Sequence, residues 1–371
     1  TGAEGAAKSG IKINGGLQNN NKIDITKTIE PNAKSEKVSD LYQPGAFWKE
    51  ALDSILKIYL EKGIKGFRSE PVNLSFFVPT YGWPAYIFEK PLVKKLKTIC
   101  KKHYGTKQLK EIEARFDGSR DAFSDYRAFK IASGHFDPLE LSNFSESKVG
   151  SPIEHFCFDN KWFSRSSLNY LLGLSFLFST FPKFRPETVL EIGGGFGTLA
   201  EILGKSNICN LRYINFDLYP MFAIAKDYVT ECFSGDTKRL VTHKIPTNEF
   251  TAKQLQTFSF FPNSKIEKLR GTIDLFVNFI SFQEMEPDIV SNYIKMVQQL
   301  RPKLVLIRNL REGKQIINDN RLGVKTPILR ENYIEMFSDY SLVKSNVLEF
   351  GYRTADGFNS ELLLFERKRN K

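Results

Sequence analysis

The sequence predicts an α/β domain, a mostly parallel sheet covered by helices on both faces, behind a mainly helical N-terminal region. Three observations predict it. From residue 186 short apolar runs alternate with segments of helical period. The chain closes on two apolar runs joined by a turn, and residues 41 to 185 carry helical patterns. Strands alternating with helices imply parallel pairing, with crossovers on the faces of the sheet.

The elements follow in order. Residues 1 to 40 are rich in Gly, Asn, Lys and Ser and bury too little to offset ordering, so they are expected to be a disordered tail. In AFWKEALDSILKIYLEKGIKGF, Phe47, Leu52, Ile55, Leu56 and Tyr59 share one helical face. VNLSFFVPTYGWPAYIF is proline-broken and reads as loop. PLVKKLKTICKKHYG and RSSLNYLLGLSFLFSTF read as helices, the second a buried one. Residues 41 to 185 therefore form the helical region, and 186 to 371 the α/β domain.

TVLEI (188 to 192) and RYINFD (212 to 217) are the first two strands of that domain. The third lies in either LVTHKI (240 to 245) or TFSFFP (257 to 262). IDLFVNFI (273 to 280) and KLVLIRNL (303 to 310) are the next two, with helices at MFAIAKDYVTECF, DIVSNYIKMVQQL and ILRENYIEMFSD. LVKSNVLEF and SELLLFERK are close enough in sequence to pair as an antiparallel hairpin at the sheet edge.

Composition narrows the function. The 371 residues are 41% hydrophobic, ample for a core. YLLGLSFLF (170 to 178) is half the length of a membrane span of roughly 18 residues, so peripheral association is the membrane role left open. Four scattered cysteines without a CxxC fit a reduced compartment and argue against structural zinc. With no apolar signal region either, a cytoplasmic location is expected. The net charge of +11 is spread without a run of five basic residues. Such a surface is either solvated or suited to an anionic substrate or membrane face, and it lacks a nucleic-acid patch.

The most informative stretch is VLEIGGGFGTLAEIL (189 to 203), a strand, a glycine turn and a helix start. Glu191, Gly193, Gly195 and Gly197 give E-x-G-x-G-x-G, with Gly194 between. A dinucleotide G-x-G-x-x-G would need glycine where Thr198 stands, and a phosphate loop would need G-K-[ST]. Asp217 ends the next strand, where a carboxylate can accept hydrogen bonds from two ribose hydroxyls. Glu191 can help hold a cationic or amino-bearing group. Acids at both ends suit S-adenosylmethionine better than a pyrophosphate.

EIGGGFGTLAE followed by YINFDLYP resembles motifs I and II of class I S-adenosylmethionine-dependent methyltransferases, and the strand plan resembles their Rossmann-like fold. NFISFQEM (278 to 285), with the glycine turn and FSESKVGSP (144 to 152), resembles the sugar O-methyltransferases of bacterial glycan and polysaccharide clusters. The likeness covers roughly 140 to 310 and departs at Phe196 and DLYP. It implies S-adenosylmethionine as cofactor and a sugar or glycan hydroxyl as acceptor. A small-molecule or lipid-linked O- or N-methyltransferase, or an inactive partner subunit, are the alternatives. The [DN]-P-P-[YF] and Pro-Cys signatures of nucleic-acid methyltransferases are absent, so no nucleic-acid acceptor is expected.

A hydroxyl acceptor needs alignment and a proton acceptor. Glu284 is the first base candidate, or else an acid at a helix N-terminus; His155 is the second, and His243 ranks below both. Asn278, Ser281 and Gln283 are candidates for the sugar hydroxyls or the methionine tail, with alternation letting only some face the pocket. Trp162, Phe163 and Tyr170 either stack on a base or sugar, or pack. Asn278 at the end of its strand, where metal-dependent enzymes favour Asp, argues against a metal.

Overall fold

The computed structural model describes residues 39–71, 73, 80–82, 91–318, 323–347, 350–354 and 357–369. The expected tail and most of VNLSFFVPTYGWPAYIF lie outside these.

The helical region runs through α1 (Ala46–Gly66), α2 (Pro91–His103), α3 (Thr106–Phe116) and α4 (Ser119–His135) to a small hairpin, β1 (Phe156–Phe158) and β2 (Lys161–Phe163). In α1, Leu52 and Ile55 are buried as their spacing predicts. α5 (Arg165–Thr180) starts at a capping box in which Ser164 and Ser167 satisfy each other's backbone N–H. Every residue of α5 from Ser166 to Phe178 is buried, because it lies between the sheet and α4.

The α/β part then follows: β3 (Thr188–Ile192), α6 (Thr198–Gly204), β4 (Arg212–Asp217), α7 (Met221–Cys232), β5 (Phe250–Thr251), β6 (Phe258–Pro262), β7 (Leu269–Arg270), β8 (Leu275–Phe279), α8 (Pro287–Gln299), β9 (Leu304–Leu310), α9 (Arg330–Met336), β10 (Tyr340–Asn346), β11 (Tyr352–Arg353) and β12 (Asn359–Arg367). The central sheet runs β10-β12-β9-β8-β3-β4-β6, with β11 on β12 and a separate short pair β5-β7. The pairs β9-β8, β8-β3, β3-β4 and β4-β6 are parallel. β12 runs antiparallel to both β9 and β10, so the closing hairpin is folded into the sheet and β10 is its edge.

β6 resolves the third-strand alternative in favour of TFSFFP. LVTHKI contributes one bridge, Val241 to Phe258, and is broken where His243 and Lys244 face solvent. α8 shows how one face is covered: Val290, Tyr293, Ile294 and Val297 fall at helical spacing and bury against Leu190, Phe276 and Val305. α5, α6 and α7 cover the other face through Val189, Tyr213, Val277 and Leu306.

A buried ion pair ties the helical region to the sheet. Arg68, just past α1, pairs with Glu146, and both are almost wholly inaccessible. Glu146 also accepts from Ser164 N (2.6 Å), Ser164 Oγ (3.0 Å) and Ser167 Oγ (2.7 Å). The Arg68 guanidinium sits 4.7 Å from the Phe196 ring centre, inside the glycine turn. Glu146→Gln removes that guanidinium's paired carboxylate, leaving only Glu201 at longer range, and is expected to cost about 3–5 kcal/mol. Urea denaturation checks it, and a loss below about 1 kcal/mol would contradict this role.

Candidate functional site

In an open α/β sheet the ligand crevice lies beyond the carboxyl ends of the strands, where successive connections leave in opposite directions. Here that point is between β3 and β8, since β3 connects through α6 to β4 on one side and β8 pairs on the other. The glycine turn stands at the end of β3.

Each glycine answers a different demand. Gly193 (φ 69°), Gly195 (φ 62°) and Gly197 (φ 100°) are left-handed, a conformation L side chains avoid. A Cβ on Gly193 would run into Ser281 Oγ, and one on Gly194 would lie 2.6 Å from Glu191 Oε2 and 2.9 Å from Tyr213 Oη. A Cβ on Gly195 would meet nothing within 4 Å. Gly193 and Gly194 are therefore fixed by packing, and Gly195 presents bare backbone to open space.

Beneath the turn lies a buried polar cluster. Glu191 accepts from Tyr170 Oη (2.7 Å) and from the Tyr213 hydroxyl. Asn215 Oδ1 accepts the Gly194 N–H at 3.1 Å. Burial pushes the Glu191 carboxyl up to about 7, and the two tyrosine hydroxyls oppose this. Tyr170 also stacks on Phe279, ring centres 4.8 Å apart.

Asp217 ends β4 beside the same turn. Its Oδ1 accepts its neighbour Leu218 N at 2.7 Å, while Oδ2 is buried without a partner. Burial lifts this carboxyl to about 7, opposed by the Leu218 and Gly195 backbone N–H groups and increased by the charge of Glu191. A buried carboxylate oxygen with nothing to accept is costly, so its presence asks for a donor.

The residues after β8 form a knot at the other wall. Asn278 Nδ2 donates to Ile192 O (3.0 Å) and Ser281 Oγ (2.6 Å), and its Oδ1 accepts Phe282 N and Asn309 Nδ2, both at 3.3 Å. Ser281 Oγ donates to Ile192 O at 3.0 Å. Gln283 Oε1 accepts Leu310 N at 2.7 Å. The polar atoms expected to meet ligand are thus engaged within the chain, where they fix the end of β3. Ile280 between them holds φ 74°, an outlier for a β-branched residue, with its N–H on Arg308 O at 2.7 Å.

The two base candidates lie in separate clusters. Glu284 is buried, bonded by Lys314 Nζ at 3.1 Å and by the Trp48 indole; burial raises its carboxyl and the lysine opposes that. His155 packs against Trp162, ring centres 4.9 Å apart and planes tilted by 32°, its Nε2 buried without a hydrogen bond and 3.9 Å from Glu146. Burial lowers it to about 4. Phe163 is fully buried among Tyr126, Phe129 and Phe144. Among the described residues no group of three or more His, Cys, Asp or Glu is placed to hold a metal, and no helix is long and apolar enough to cross a membrane.

Of the two roles expected for Tyr170, stacking on a base or sugar or packing, the structure shows packing, against Phe279, together with a hydrogen bond to Glu191. The strand expected over RYINFD gives Tyr213 and Asn215 no role of their own in the site. Their signal was present: in RYINFD the positions 213, 215 and 217 are polar at period two within an apolar strand.

No protein-family model matches the chain, and no curated protein matches it in sequence. Solved structures resemble it in part. Magnesium protoporphyrin IX methyltransferase from Synechocystis PCC 6803 with bound S-adenosylmethionine is 10% identical, matching 55% of this chain and 81% of its own, TM-score 0.37. The small RNA methyltransferase HEN1 is 16% identical over 53% of this chain and 25% of its own, TM-score 0.37. The pyocyanin biosynthetic protein PhzM is 10% identical over 53% and 58%, TM-score 0.35. Such scores leave the assignment to the sheet itself. Its order, with β12 reversed between β9 and β10, is that of the class I methyltransferase fold.

Proposed function

We propose that the chain is an S-adenosylmethionine-dependent O-methyltransferase acting on a sugar hydroxyl, in a nucleotide sugar or a glycan. The observation that carries the cofactor is Asp217 Oδ2, a buried unpartnered carboxylate oxygen one strand from a glycine with open space before it. The donor set fits the group. Asp217 would accept the ribose hydroxyls, Gly195 would allow close approach, and Glu191, aligned by two tyrosine hydroxyls, would face the cationic end. Bound there, S-adenosylmethionine supplies an electrophilic methyl group.

The chain's own residues then have two tasks. The Asn278–Ser281 knot and Asn215 hold the glycine turn in place, so that alignment is built before ligand arrives. Glu284 follows in the same short turn and would take the acceptor proton, its carboxyl raised by burial, which favours proton uptake, with Lys314 opposing that rise. The sugar acceptor is supported by the NFISFQEM resemblance and by the absence of nucleic-acid signatures. A cytoplasmic setting fits the scattered free cysteines.

The test is incubation with methyl-labelled S-adenosylmethionine and a panel of nucleotide sugars, glycan fragments and RNA. Label is expected on a sugar hydroxyl; label on RNA alone would overturn the acceptor assignment. Glu284→Gln is expected to lower turnover by about 10²-fold or more with cofactor affinity kept. Near wild-type turnover would remove Glu284 as the base.

A further inference from the structure

Two arginines at the carboxyl ends of the central strands make no ion pair among the described residues. Arg308 of β9 is fully buried; its Nη2 donates to Phe350 O, while Nε and Nη1 have no hydrogen-bond partner. Arg165, the first residue of α5, gives one N–H to Thr80 O. The two guanidinium groups share the ring of Tyr352, at 5.9 Å for Arg308 and 4.6 Å for Arg165.

The nearby acids are otherwise engaged. Asp125 accepts Tyr81 Oη at 2.6 Å and touches neither guanidinium, although its charge reaches both at longer range. Glu154 accepts the backbone N–H groups of Tyr81 (2.8 Å) and Arg165 (3.1 Å), and burial lifts its carboxyl to about 7.

Burying a guanidinium without a directly paired carboxylate is expensive, and burial pulls Arg308 down to about 10, opposed only at longer range by Tyr352, Asp125 and Tyr81. Arg68 provides the contrast within the same molecule: equally buried, it is matched by Glu146. Position supplies the rest. The Arg308 guanidinium lies 5.4 Å from the Phe279 ring, Phe279 stacks on Tyr170, and Tyr170 donates to Glu191 under the glycine turn. The unpaired guanidinium therefore stands three contacts from the candidate methyl-donor site, on the same face of the sheet.

We propose that Arg308 and Arg165 form an oxyanion subsite that holds a carboxylate or phosphate group of the methyl acceptor. Planar forks are suited to bidentate binding of either group. The subsite narrows the acceptor to an anionic sugar, a uronic acid or a sugar phosphate. That the anion belongs to the acceptor rests on the methyl-transfer reading; the anion site itself does not.

Titration calorimetry of the full chain with inorganic phosphate, pyrophosphate and glucuronate, with glucose as neutral control, tests this. Wild type is expected to bind at least one anion and not glucose. A response to the phosphates points to a sugar phosphate or nucleotide sugar, and a response to glucuronate to a uronic acid. Arg308→Met is expected to weaken that binding at least tenfold, to leave S-adenosylmethionine binding unchanged, and to keep or raise Tm without ligand. A merely structural Arg308 would give a lower Tm with anion binding intact, which would overturn the proposal. If Arg308→Met does not fold, the half-buried Arg165→Met is read the same way. No anion binding by wild type, or equal binding by the folded variants, also overturns it. Failure of wild type to bind S-adenosylmethionine would instead overturn the methyl-transfer reading.

Discussion

Asp217→Ala is expected to weaken S-adenosylmethionine binding about 10–100-fold, the range for losing hydrogen bonds to a charged group. The carboxylate meets only the Leu218 and Gly195 backbone N–H groups and leaves Oδ2 without a partner, so its removal costs the folded chain little. The sign with pH follows from burial. Asp217 and Glu191 are both lifted to about 7, above the roughly 4 of an unfolded carboxylate. Between about pH 4 and 7 the folded state therefore binds more protons than the unfolded. The stability they confer is full below about 4 and lost as pH rises through about 7. Asp217→Asn removes one of these groups. Without ligand it is expected to be more stable than wild type at pH 8, by about 1–3 kcal/mol, with a shallower fall between pH 5 and 8. Thermal melts across that range check it; an unchanged pH slope would show that Asp217 is not the buried acid described.

Neighbouring glycines should fail in different ways. Gly195→Val places a side chain where nothing lies within 4 Å, at φ 62°. The strain is about 1–3 kcal/mol, so the protein is expected to fold, while cofactor binding falls at least 100-fold because the side chain fills the approach. Gly193→Ala meets Ser281 Oγ and Cβ at φ 69°. It is expected to lose about 3 kcal/mol or more through overpacking and strain. Chemical denaturation alongside cofactor titration separates the two. If Gly195→Val bound cofactor as wild type does, the open space before Gly195 would not be the ligand's.

The scaffold was legible where burial is complete on both faces. TVLEI and RYINFD become β3 and β4 residue for residue, because short β-branched and aromatic runs followed by a glycine turn in one case and a helix in the other read as buried strands. The third strand was ambiguous because LVTHKI has the same apolar beginning as a strand and is ended by polar residues that face solvent. α3 and α4 went unread. α4 carries three Ser and two Asp and anchors through Ala122, Tyr126 and Phe129, a stripe too narrow to stand out.

At the site, the glycine turn, Glu191 and Asp217 were readable because their spacing is local. The roles of Tyr170, Tyr213 and Arg308 depend on contacts between distant segments. The same holds for Asn278 and Ser281, whose donors turn toward Ile192 rather than outward. That direction is set by the strained turn at Ile280, which no pattern of residue types encodes.

The central claim is that the β3 turn and Asp217 form a methyl-donor site. Isothermal titration of the folded wild-type chain with S-adenosylmethionine tests it most directly. Saturable one-to-one binding, lost in Gly195→Val and weakened in Asp217→Ala, is the expected result. No detectable binding by clean, folded protein would contradict the account.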